Sequence, residues 1–89
     1  MSVTDNLARN RFELEENGFI AFANYHRTGS QVIIPHVEAA PQMRGLGAAS
    51  RLMEGIVELA RAEGVKIKPT CSYAIGWFRQ HREAADILA

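Results

Sequence analysis

Apolar residues alternate with polar ones through the first half of the chain, then switch to recurring every third or fourth position. Across residues 11–15, Phe12 and Leu14 fall on one face of a short strand. Glu16-Asn17-Gly18 reads as a turn. Residues 19–26 give a second strand, with Phe19, Ala21, Ala23 and Tyr25 on one side and Ile20 and Phe22 on the other. Arg27-Thr28-Gly29-Ser30 is a second turn, so these segments predict a meander. Residues 31–39 give a third strand, apolar on both faces at Val32-Ile33-Ile34, which suits a central position. Pro35 lies inside it and has no N–H to donate, which predicts a bulge or a splay from the neighbouring strand. Residues 1–8 carry no such pattern and read as loosely ordered.

The helical period takes over across residues 45–63, where Ala49, Leu52, Met53, Ile56, Val57, Leu59 and Ala60 supply one apolar face. Gly64 suits the C-terminal cap of that helix. Residues 65–69 follow as a strand, with Val65 and Ile67 on one side and Lys66 and Lys68 on the wet side. Strand, long helix and strand make a parallel crossover, expected to be right-handed. After a turn through Thr70-Cys71-Ser72, Ala74, Trp77 and Phe78 predict a short amphipathic helix, and residues 82–89 a further helical segment. Gly55, in mid-helix, costs about 1 kcal/mol against alanine, which points to a close approach of the helix to the sheet.

Composition narrows the class. The 89 residues suit one domain, and 47% apolar with 22% charged residues is a globular balance. Ten basic residues offset ten acidic ones, so overall charge gives no support to non-specific binding of nucleic acid or an anionic membrane, which leaves only local basic clusters. The single cysteine, Cys71, permits no internal disulfide and suits a reducing compartment. The first residues hold no apolar signal core, and no apolar run approaches the ~20 residues of a membrane span. The expectation is a cytoplasmic protein with neither nucleic acid nor membrane as partner.

The stretch with chemical content is HVEAAPQMRGLGAASRLMEG, residues 36–55, where the strand passes through a basic, glycine-spaced turn into the helix. A helix N-terminus exposes unpaired amides and carries about half a positive charge, so an anion gains from both. Gly45 and Gly47 clear side chains from the backbone, and Arg44 adds a forked donor suited to phosphate. Ser50 and Arg51 stand in the first helical turn. The stretch is built as a phosphate cradle at the C-terminal end of a strand. It is not a P-loop, because Ala48-Ala49 follows Gly47 where Lys-Ser/Thr is required. It is not a dinucleotide fingerprint either, since Ser50 replaces the third glycine and the next strand carries Lys66 and Lys68 instead of an acid.

Arg44-Gly45-Leu46-Gly47-Ala48-Ala49 matches the pattern Arg/Gln-x-x-Gly-x-Gly/Ala, and so resembles the acetyl-CoA diphosphate loop of the GNAT superfamily of N-acetyltransferases. His36-Val37-Glu38 before the loop, Pro69-Thr70-Cys71-Ser72-Tyr73 after the next strand, and His81-Arg82-Glu83 with Asp86 near the end resemble a minimal, single-domain branch of that superfamily. That branch usually has His-Pro-Glu where this chain has His81-Arg82-Glu83. The resemblance spans nearly the whole chain. It implies an α/β chain with a reduced GNAT (acyl-CoA N-acyltransferase) fold: a twisted mixed β-sheet, one long helix after the loop, and short C-terminal helices. It implies acetyl-CoA as cosubstrate and no metal, with the backbone of His36, Val37, Glu38 and Ala39 pairing with the pantetheine arm. The amides of Met43, Arg44, Gly45, Leu46, Gly47, Ala48, Ala49 and Ser50 would hold the diphosphate, with Arg44 and Arg51 nearest to outlying phosphate charge.

The resemblance also implies two routes for the acetyl group. Cys71 falls at the same sheet edge as the glycine loop, and in at least one member of the branch the matching cysteine is regarded as catalytic. An acetyl-cysteine, an inert buried thiol, and a thiol merely beside CoA all fit its position. On the direct route Glu38 is the candidate base and Tyr73 the candidate acid, with an oxyanion donor near Val37 or Glu38; a solvated strand-end carboxylate and a packed tyrosine with a satisfied hydroxyl fit the same two positions. The implied function is acetyl-CoA-dependent acetyl transfer to an amine of a small molecule or a protein. The alternative is a CoA-binding module with little or no transferase activity, because the extra helices that shape the acceptor site in larger members have no counterpart here.

Overall fold

The computed structural model describes residues 3–89. Its five strands lie in the order β1 (Thr4–Asn6), β2 (Arg11–Glu16), β3 (Phe19–Thr28), β4 (Gln31–Ala39) and β5 (Lys66–Pro69), antiparallel except for the parallel β4–β5 pair. A 3-10 turn, Pro41–Met43, leads into α1 (Ala48–Glu63); α2 (Ser72–Gln80) and a 3-10 segment, Arg82–Ile87, follow β5. The mixed α/β sheet with one long helix is as the sequence implies.

Asn17 and Gly18 both have positive φ, as a two-residue turn between twisted strands requires, and so join β2 to β3 tightly. Helix α1 buries Ala48, Leu52, Met53, Ile56, Val57 and Ala60 in one stripe. The stripe packs on Phe12, Leu14, Ala21, Ala23, Val32, Ile34 and Ile67 from four strands. All helical elements lie on that side. The opposite face carries Arg11, Glu13, Phe22, Asn24, His36, Glu38 and Lys68 and has no helix over it among the described residues.

The N-terminus, the start of α1 and the contact at Gly55 differ from the sequence reading. Residues 4–6 form β1 instead of a loose end: Thr4 pairs with Glu13, and Tyr25 Oη donates to Asp5 Oδ1 at 2.7 Å. Met1 and Ser2, part of that expected loose end, lie outside the described residues. Helix α1 begins at Ala48, not at 45, because Gly45 and Gly47 sit at φ 79° and 80°, outside helical space. Gly55 does mark a close approach, but to the N-terminal segment: a Cβ there would lie 2.7 Å from Val3 Cβ. Gly64 caps α1 as expected, its N–H bonding the Ala60 carbonyl at 2.8 Å.

Pro35 does make a bulge. Asn24 pairs with His36, yet His26 pairs with Ile33, so Ile34 and Pro35 together face Tyr25. The β4–β5 ladder ends at the Ile34–Pro69 pair, with Thr70 N–H reaching the Ile34 carbonyl at 3.0 Å. Pro35 and Pro69 both lack the N–H that would continue it. Beyond this point the two strands part.

Candidate active site

The parting of β4 and β5 leaves the last four residues of β4 paired on one side only. Ala40 N–H bonds the Ile20 carbonyl at 3.2 Å, which makes every second pair along this ladder a hydrogen-bonded one. His36 and Glu38 therefore spend their backbone groups on β3. Val37 and Ala39 turn theirs the other way, toward a gap no strand fills among the described residues. Their side chains are half-buried against the core, while those of His36 and Glu38 stand on the bare face.

The 3-10 turn and the glycine loop carry the chain from this free edge to the start of α1. The loop's Arg44 is exposed and Leu46 projects into solvent, 63% exposed. Met43 is buried in the core, so only its backbone is free for another role. Gly47 is the N-cap of α1 and offers no side chain to the first amides; no acidic residue stands in the first turn. The Ala48, Ala49 and Ser50 amides thus form an uncapped positive end. Ala39, Met43, Arg44, Gly47, Ser50 and Tyr73 line one cleft of about 290 Å³ at this point. Free strand amides beside an uncapped helix end suit a ligand with an amide-bearing arm and a diphosphate, so the residues present fit CoA.

Cys71 caps α2: its Sγ accepts the Ala74 N–H at 3.4 Å, and it packs half-buried against the core. The thiol lies just past the point where β5 leaves β4. His36 is on the other face, its Nε2 donating to Glu38 Oε1 at 2.9 Å, so the histidine is brought to Glu38 and not to the thiol. Tyr73, in the first turn of α2, is 42% exposed, and burial of the rest pushes its phenol above the ordinary 10.

Three contacts escaped the sequence reading. Trp77, expected simply as core, also donates Nε1–H to Ser50 Oγ at 2.9 Å, tying α2 to the first turn of α1. His81 follows the end of α2, its ring stacked on Trp77 at 4.0 Å while Nδ1 donates to the Trp77 carbonyl at 2.8 Å. These residues extend the cleft into a second groove of about 350 Å³ that shares Ser50 and Tyr73 with the first. Arg51 makes two bonds of 2.8 Å to Glu16 at the end of β2. The i to i+3 spacing of Trp77 from Ala74 signals burial only, and nothing local links residue 16 to residue 51.

The model of the GCN5-related N-acetyl-transferase family matches residues 11–87. Among solved structures, the solution structure of a GCN5-like protein from Staphylococcus aureus superposes with a TM-score of 0.76 at 23% identity, covering 99% of this chain and 87% of that one. At that identity the likeness is one of fold. No curated protein matches the chain.

Proposed function

The chain belongs to the GCN5-related N-acetyltransferase family, and from that premise we propose that it transfers the acetyl group of acetyl-CoA to an amine. The observation that carries this reading is the unpaired edge of β4 running into the uncapped start of α1, with one cleft between them. Val37 and Ala39 bind the amide-bearing pantetheine arm as a strand would. The Ala48, Ala49 and Ser50 amides hold the diphosphate.

The acceptor reaches the cleft from the bare face, where Glu38 stands. His36 holds one carboxylate oxygen of Glu38 and leaves the other for the incoming amine. On the direct route the amine nitrogen bonds the acetyl carbon as the thioester C–S bond breaks. Glu38 takes the proton from nitrogen, Tyr73 gives one to the departing sulfur, and the Val37 N–H receives the developing oxyanion. Tyr73 keeps its proton through neutral pH as any ordinary phenol does, and burial raises its pKa further. With no helix over the bare face among the described residues, the site accepts an amine on a protein as readily as one on a small molecule.

The position of Cys71 at the amide end of α2 favours a second route. There Sγ takes the acetyl group as the same C–S bond breaks and the thiol proton passes to the departing CoA sulfur; the amine then bonds the acetyl carbon, the acetyl–Sγ bond breaks to release the Cys71 thiolate, and Glu38 accepts the proton from nitrogen. An acetyl adduct on the wild type and none on Cys71→Ala after incubation with acetyl-CoA would establish this route. Intact turnover in Cys71→Ala with no adduct on either protein would eliminate it.

Calorimetric titration with acetyl-CoA, CoA and ATP tests the reading as a whole. Binding of both CoA forms and not of ATP is expected; no CoA binding at millimolar concentration would refute it. Binding without turnover of any amine would leave a CoA-binding module.

A further inference from the structure

The chain has two lysines, Lys66 and Lys68, both exposed on β5. Lys66 is tied down, its Nζ donating to the Asp86 carbonyl. Lys68 has neither an ion-pair nor a hydrogen-bond partner among the described residues. It pairs with Ile33, one step before the Ile34–Pro69 pair that ends the ladder, and it stands on the bare face. The bulge decides what lies ahead of it. His26 pairs with Ile33 and Asn24 with His36, so on the bare face His36 takes the position directly after Ile33. With strands about 4.8 Å apart and a rise of about 3.3 Å per residue, His36 lies about 8 Å diagonally from Lys68, measured between backbones. The flexible four-carbon stem of a lysine spans most of that distance. His36 is the residue that holds Glu38.

The direction of the gap matters as much. With the diphosphate at the glycine loop, past Ala39, the acetyl end of CoA lies toward the closed end, where Ile34 and Pro69 meet. Lys68 is the last bare-face residue of β5 before that point. We propose that Lys68 is an acceptor for the site of its own chain, so that the protein acetylates itself there. This rests on the reading of the cleft given above. The ammonium first gives one proton to solvent. The neutral amine then bonds the acetyl carbon as the thioester C–S bond breaks; Glu38 takes the proton from nitrogen and Tyr73 gives one to the sulfur. The products are an acetyl amide on Lys68, which has lost its charge, and free CoA.

The test is incubation of wild type, Lys68→Arg and Glu38→Gln with acetyl-CoA, then peptide mass mapping after neutral hydroxylamine. Hydroxylamine strips an acetyl thioester from Cys71 and leaves an amide on lysine, so the Cys71 comparison reads the labile acetyl alone. Lys68 of the wild type should gain one acetyl group and Lys66 none, at a first-order rate unaffected by protein concentration. A tenfold excess of CoA over acetyl-CoA should slow labelling about tenfold by mass action, which chemical acetylation would not show. Glu38→Gln should slow it by about 10²–10⁴-fold. Lys68→Arg should carry no lysine acetyl. Equal labelling of both lysines, indifference to CoA, undiminished labelling in Glu38→Gln, or a rate that rises with protein concentration would each overturn the proposal. Calorimetric binding of CoA with no acetyl on Lys68 would overturn it and leave the cleft reading standing. If the wild type binds no form of CoA, both fall.

Discussion

Gly47→Val separates the cradle from the fold. Gly47 sits at φ 80°, where a residue with a Cβ is strained by roughly 1–2 kcal/mol. Its new Cβ meets Arg51 Nη1 at 3.1 Å, the far end of a flexible chain that can yield. Against a typical domain stability of about 5–15 kcal/mol the fold survives. Binding does not: the methyl groups crowd the mouth of the helix, and displacing two charge-assisted hydrogen bonds at about 1.5–3 kcal/mol each weakens CoA by about 10²–10⁴-fold. Thermal unfolding reads both effects. At a hundred times Kd, CoA stabilises the wild type by about 2.7 kcal/mol, a rise in Tm of about 10–20 °C for a domain of this size. Gly47→Val should melt cooperatively, somewhat lower, with that rise abolished. A folded variant with an undiminished CoA-induced rise would refute the placement of the diphosphate.

Glu38→Gln should lower turnover by about 10²–10⁴-fold and spare CoA affinity; unchanged turnover across pH removes Glu38 as the base. Tyr73→Phe should reduce kcat with KM for acetyl-CoA little changed, read from steady-state kinetics. Glu13, Glu16 and Asp86 are held below their ordinary pKa values first of all by hydrogen bonds from Arg11, Arg51 and Arg61. Depressed carboxylates stabilise the fold above their unfolded pKa and lose that contribution as pH falls through the folded one. Tm should therefore drop as pH goes below about 4.5, and less steeply in Glu16→Gln. Gly55→Ala adds about 1 kcal/mol of helix propensity but drives Val3 from its notch, so it should lower Tm alone and raise it in a Val3→Gly background.

The parts that sequence carries well are periodic or stereochemical. Alternation at Phe12 and Leu14 and the three-and-four spacing of Leu52, Met53, Ile56 and Val57 give strands and helix directly, because burial repeats with the backbone period. Pro35 gives the bulge for a covalent reason. Strand β1 has only three polar residues, and what holds it is remote: the Glu13 pairing, the Tyr25 hydroxyl, and Arg27 reaching Asp5 at 3.2 Å. The loop residues were legible as a motif, but not the fork from Glu16 or the bond from Trp77 to Ser50. Those depend on how the hairpin turn and α2 settle against the first turn of α1, across 35 and 27 positions of chain.

The bulge at Ile34 and Pro35 has a kinetic consequence. The gap beside Val37 and Ala39 is bounded by one extra residue inside a hydrogen-bonded ladder, so the ladder itself fixes its edge. A ligand arriving there meets a slot already cut, with its donors solvated and waiting. Association should then be a single second-order step whose rate rises linearly with ligand concentration and falls with salt, without the plateau of a gated site.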